Sequence, residues 1–183
     1  MSSRRLIRGG CVLTLGARTP NYTEADVLIE DDRVAEIGPR LRARGAEVIE
    51  ATDCIVMPGF VDTHRHVWKS LFKHLGESGS AGGAPMSPTV YGPHFQPDDV
   101  YASTLIGLLG AVESGITTVV DWADIPPGAE YAEAALQAHA DAGLRTVFVS
   151  AGPEWSARPE GHAAALRAVL AGHGSGDGPV GIA

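Results

Sequence analysis

The hydrophobic pattern of this chain changes at Pro58-Gly59, and that change decides which folds are open to it. Before the break, short apolar runs alternate with polar residues and turn signals, the period-two signature of half-buried strands. Leu6-Ile7 and the run 11–15 are separated by Gly9-Gly10. Residues 25–37 read as a hairpin, with Val27 and Ile29 alternating on its first arm and Asp31-Asp32 at its turn. Gly38-Pro39 stops the returning arm, and 47–50 and 54–57 read as two further short strands. Residues 1–57 are therefore expected to form a small β-sandwich segment or one layer of it.

After the break, strands that are apolar throughout alternate with helical periods. Residues 60–66, 116–121 and 145–150 read as strands, 98–114, 129–142 and 159–171 as helices, and 179–183 as a fourth strand beginning. Pro97 precedes the acidic first turn of the first helix and Gly115 follows its end, the expected asymmetry of helix termini. Tyr101, Leu105, Leu108, Leu109 and Val112 are expected on its inward face, and Leu166, Val169 and Leu170 on that of the third helix. Continuous apolar strands alternating with helices imply a parallel sheet covered on its faces, an α/β fold for 58–183. The long segment 76–96, rich in Gly, Ser and Pro, is of the length that lids, binding loops and disordered segments share.

The chemistry concentrates in PGFVDTHRH, residues 58–66. Side chains alternate along a strand, so His64 and His66 are expected on one face, with Asp62 a layer deeper on the same face. Two imidazoles so placed at a strand's C-terminal end can bind one metal ion through neutral nitrogens. Asp62 could then bond a ligating histidine and fix its tautomer. An isolated His-x-His is more often a surface pair; here a Pro-Gly break, an apolar strand and a βα series surround it.

With these residues in view, the chain resembles the amidohydrolase superfamily, most closely its deaminase and chlorohydrolase branch. The resemblance rests on the preceding β-segment, the Pro-Gly, the His-x-His, and the second strand GITTVVDW at 115–122. It implies a (β/α)8 barrel of the TIM type, of which this chain would carry about the first three to four strands. It also implies one or two divalent metals, zinc or iron, and hydrolysis of a non-peptide C–N bond in a small molecule. His64 and His66 would be the first two metal ligands. The family's later ligands, histidines of the fifth and sixth strands and an aspartate of the eighth, have no counterpart here. A complete barrel takes about 250 residues, so the chain is expected to be an N-terminal portion, its catalytic residues lying elsewhere. The alternative is a truncated, inactive metal-binding or interaction module that needs a partner chain.

Weaker candidates surround the strand ends. Trp68 could wall a substrate pocket or pack against the next helix. Asp121, at the end of the second strand, could contact substrate or simply cap or ion-pair. His94 could reach the pocket from the long loop. Glu154 and Trp155 follow the third strand, and Arg65 alternates away from the interior. His74, His139, His162 and His173 fall on helices or turns, where solvated faces are the ordinary reading.

Charge and cysteine content narrow the partners. A net charge of -8 with no basic stripe argues against nucleic acid and anionic membranes. Cys11 and Cys54 are too few for a disulfide framework, and the apolar run near the N-terminus is too short for a secretory signal. A cytoplasmic protein acting on a small molecule is the expectation, with a homo-oligomer or a complementing chain both compatible with it.

Overall fold

The computed structural model describes residues 3–72, 91–150, 164, 167–169, 171 and 180–182. The chain divides into two compact units, Met1–Pro58 and Gly59–Ala183.

The first unit is one five-stranded sheet. Its strands are β1 (Arg4–Val12), β2 (Tyr22–Glu30), β3 (Arg33–Gly38), β4 (Glu47–Glu50) and β5 (Ile55–Val56). β1 is central: it pairs antiparallel with β2, which pairs with β3, and parallel with both β4 and β5. The expected hairpin is present, with Asp31 in the left-handed region at φ 54°. The two runs read as separate around Gly9-Gly10 are a single strand with register shifts. Gly9 takes φ +74°, and a Cβ on Gly10 would run into Val56, so glycine here bends the strand without ending it. Val12, Ala25 and Val27 form the buried apolar face, flanked by Ile7, Ile29, Ile37 and Val56. Asp26, 5% exposed, is stabilised by the Gly9 and Leu41 backbone N–H groups, which donate to its two oxygens at 2.9 and 2.8 Å.

The second unit is a parallel sheet in the order β6 (Phe60–Arg65), β7 (Ile116–Ala123), β8 (Arg145–Ser150), β9 (Val180–Ile182). β6 leads into a 3-10 helix, Val67–Phe72; α1 (Pro97–Glu113) precedes β7 and α2 (Ala129–Ala142) precedes β8. Both helices stop as the sequence predicts, at Gly115 with φ +78° and Gly143 with φ +67°. α1 begins at Pro97, and the Gln96 N–H donates to Asp99 at 2.8 Å. No helix among the described residues is long and apolar enough to cross a membrane.

The inward face of α1 meets the expectation at Leu108 and differs from it at Leu109 and Val112. Val100, Ser103, Thr104, Gly107, Leu108 and Ala111 are buried, whereas Leu109 and Val112 are exposed. The helix turns its small residues inward because the 3-10 helix packs tightly there: a Cβ at Gly107 would strike Ser70 and Val67. Close approach, not side-chain bulk, selects this face. Of the third predicted helix, helical backbone is present at 164, 167–169 and 171, with Val169 buried as expected; Leu166 and Leu170 lie outside the described residues. Most of the long loop, with Glu154, Trp155, His74, His162 and His173, lies outside them too.

Candidate metal centre

β6 ends where the sheet's C-terminal edge opens, and the two histidines sit there. Their ring centroids are 5.2 Å apart at an interplanar angle of 81°. With metal–nitrogen bonds of about 2.0–2.1 Å, two imidazoles on one tetrahedral ion place their centroids roughly 5 Å apart, so this spacing fits a shared ion. The His64 ring stacks on Trp122 at 5.1 Å, which restricts its orientation.

His66 is held by hydrogen bonds. Its Nδ1 lies 2.8 Å from the Trp122 carbonyl oxygen and 2.9 Å from Asp124 Oδ1. Burial would push the Asp124 carboxyl upward, but hydrogen bonds from Lys69 and Trp68, with the charges of Lys69 and His66, outweigh it and hold the group below the ordinary carboxylate range. Asp124 is therefore an ionised acceptor at neutral pH. Both oxygens facing Nδ1 accept, so Nδ1 carries a proton, and in the neutral ring the lone pair that a metal ligand needs is then on Nε2. Trp68 Nε1 and Lys69 Nζ each donate to Asp124 at 2.6 Å, so three side chains from the β6 end converge on one carboxylate just past β7.

Strict alternation places Asp62 with the histidine rings, whereas its hydrogen bonds go to the His64 backbone and to Arg65. Asp62 pairs with Val119 and Arg65 with Asp121, three steps along β6 against two along β7. The extra residue is a bulge, which resets the alternation. Asp62 accepts from the His64 backbone N–H at 3.2 Å and pairs with Arg65 at 3.4 Å, so it steadies the strand and leaves the ring to Asp124.

The remaining candidates separate by burial. Trp68 is fully buried in the core with Val100, Leu136 and Phe148, and its indole edge reaches Asp124. Asp121 is 1% exposed: it accepts from the Val67 N–H at 3.0 Å and from His139 Nε2 at 2.9 Å. Of its two readings, substrate contact or a structural cap and pairing, the structure shows the geometry of the second. His139, expected on a solvated face, is fully buried. His94 is exposed, and its carbonyl accepts weakly from Gln96 at 3.5 Å. Sequence reasoning passed over Asp124 and Trp122. The available signal was a carboxylate one residue beyond an apolar strand, and an aromatic alternating onto the face opposite Asp121.

Among the described residues no cluster of three or more His, Cys, Asp or Glu side chains could hold a metal. The described residues thus offer two candidate nitrogen donors, His64 and His66, the second hydrogen-bonded to Asp124 and the Trp122 carbonyl.

Comparison with known proteins gives the family and the fold. The profile of the amidohydrolase family matches residues 55–181. The chain is 34% identical over 103 residues to a 5-methylthioadenosine/S-adenosylhomocysteine deaminase of Pyrococcus furiosus, covering 53% of this chain and 23% of that one. It is 33% identical over 118 residues to a D-hydantoinase of Geobacillus stearothermophilus, covering 64% and 19%. Among solved structures, triazine hydrolase from Arthobacter aurescens superposes with a TM-score of 0.80 at 22% identity, over 98% of this chain and 45% of that one. An adenosine deaminase from Xanthomonas campestris with bound zinc superposes with a TM-score of 0.72 at 16% identity, over 99% and 42%. The chain spans about a quarter of the curated relatives it matches and under half of the solved chains. Its β6–β9 unit is the first part of a (β/α)8 barrel. From its strand-end histidine pair to its barrel topology, the chain belongs to the amidohydrolase family.

Proposed function

We propose that this chain carries the first two metal ligands of a hydrolase that cleaves a non-peptide C–N bond in a small molecule. The observation that carries the reading is His66, its Nδ1 proton fixed by Asp124 and the Trp122 carbonyl, beside His64 at a spacing suited to one ion. A divalent ion there, zinc or iron, supplies Lewis acidity and a water activated near neutral pH. The protein's own part is to present Nε2 of His66 unprotonated, to hold the His64 ring against Trp122, and to keep Asp124 ionised through Lys69. Further donors come from outside the described residues. The relatives named as deaminases and as a hydantoinase support an aminated heterocycle or a cyclic amide as substrate. A cytoplasmic location belongs to the same proposal, supported by the low cysteine count.

A second reading, a metal-binding or interaction module completed by another chain, draws on the two-ligand site among the described residues. One set of measurements on the full-length protein separates them. Zinc affinity is measured by chelator competition for wild type, His64→Ala, His66→Ala and His94→Ala. Turnover is assayed with 5-methylthioadenosine, S-adenosylhomocysteine and hydantoin. The first two substitutions should weaken zinc binding by at least ~100-fold and the third should not. Histidine-dependent turnover supports the enzyme; histidine-dependent zinc binding without turnover supports the module. Equal zinc affinity in all four proteins would remove the ligand assignment.

A further inference from the structure

Beneath the histidines, on the helix side of the sheet, lies a second titratable pair that the proposed chemistry does not use. Asp121 on β7 and His139 on α2 are 1% and 0% exposed. Their contact, Asp121 Oδ2 to His139 Nε2, is 2.9 Å, and the other carboxylate oxygen accepts from the backbone N–H of Val67 at 3.0 Å. A carboxylate is costly to bury, and a buried one persists where its acceptors are fully used. Here they are used by one backbone group and one ring.

The backbone group is the informative one. Val67 follows His66 directly and is the first residue of the 3-10 helix Val67–Phe72, so its N–H has no acceptor within that helix. Asp121, reaching across from the neighbouring strand, supplies that acceptor. The bond pins the turn by which the chain leaves β6 and enters the helix, and His66 stands on that turn. His139 in turn fixes Asp121: its Nε2 donates to the carboxylate, its ring packs edge-on to Phe148 with centroids 5.8 Å apart, and its Nδ1 has no partner among the described residues. Among the described residues the ring's one hydrogen bond is thus with Asp121.

We propose that Asp121 and His139 are positioning residues for the metal site: they set the backbone at Val67 and thereby the placement of His66. Asp124 orients the ring from the solvent side and Asp121 locks the main chain from the core side. The proposal rests on the reading of His64 and His66 as ligands of one ion. Neither residue touches substrate or metal; both act through the Val67 main chain.

The test is zinc affinity of the full-length protein, by chelator competition well below each variant's melting temperature. Asp121→Ala and His139→Leu should weaken zinc binding by about 10-fold, within the range that supporting residues of metal sites show. Asp121→Asn keeps an acceptor for Val67 and a group to meet the ring, and His139→Gln keeps a donor near the Nε2 position. Both should stay within about 3-fold of wild type, which a general loss of packing would not produce. In a His66→Ala background the Asp121→Ala effect should vanish, because the ligand it serves is gone.

Wild-type zinc affinity in folded Asp121→Ala and His139→Leu overturns the proposal. An undiminished effect in the His66→Ala background does so too, by showing that it does not travel through His66. Should Asp121→Ala not fold, the His139 pair of variants decides alone. A wild-type protein whose zinc binding ignores His64 and His66 is a different failure. It removes the metal reading itself, and this proposal with it.

Discussion

Replacing Asp124 by alanine isolates the contact that makes His66 a competent ligand. The substitution removes three bonds at once: from the His66 Nδ1 at 2.9 Å, the buried Trp68 indole at 2.6 Å and the Lys69 ammonium at 2.6 Å. The Trp122 carbonyl still faces Nδ1 at 2.8 Å, so the tautomer is weakened but not inverted. Loss of a carboxylate behind a ligating histidine lowers metal affinity by about 10–100-fold, which is about 1.4–2.7 kcal/mol. The buried indole N–H loses its carboxylate acceptor, costing roughly 1–3 kcal/mol of stability. The Lys69 pair is partly exposed, with side chains 28% and 16% accessible, and screening keeps its share below about 1 kcal/mol.

Two variants separate these effects. Lys69→Met removes the ion pair but leaves the His66 and Trp68 bonds, so zinc affinity should change by less than about 3-fold. Asp124→Asn retains one acceptor oxygen but turns an amide N–H toward a donor, so it should fall between wild type and alanine. Chelator competition reads the metal and thermal unfolding reads the fold. If Asp124→Ala melts lower yet binds zinc within 2-fold of wild type, where His66→Ala does not, the orienting role is refuted and Asp124 is only a structural hub.

Three further outcomes are expected from the surrounding structure. Gly107→Val should destabilise by about 1–3 kcal/mol in denaturant unfolding, because its Cβ would meet Val67 and Ser70 and force α1 away from the 3-10 helix. Asp26→Ala should cost about 2–3 kcal/mol, since the Gly9 and Leu41 N–H groups lose a shared acceptor. Tyr101 should titrate above its ordinary value, raised first by its hydrogen bond to Asp141 and further by burial and the charge of Asp141; Asp141→Asn should bring it down in a tyrosinate absorbance titration. Because that folded-state pKa is raised, the pair's contribution is complete below the unfolded tyrosine value and is lost as pH rises through the folded one.

Much of this was legible in the residues. The period change at Pro58-Gly59 separates the two units, helix stops fall at Gly115 and Gly143, and the His-x-His at the end of an apolar strand marks the candidate metal site. Those features are local: a period, a turn signal and a candidate strand-end pair depend on neighbours a few residues away. What escaped the sequence is contact across many residues. Asp124 meets His66 from 58 residues away, and His139 reaches Asp121 from a helix whose amphipathic reading gave it to solvent. The strand bulge between Asp62 and Arg65 is equally invisible, since it arises from register against β7. Likewise, α1 buries Ser103 and Gly107 and exposes Leu109 because the 3-10 helix needs small residues beneath it. The sequence by itself determined which elements form, where they stop and which pair of histidines could bind an ion. Only the tertiary structure decided which carboxylate serves which histidine, because a hydrogen bond is won by the acceptor that packing brings within 3 Å, and packing is set by the whole sheet.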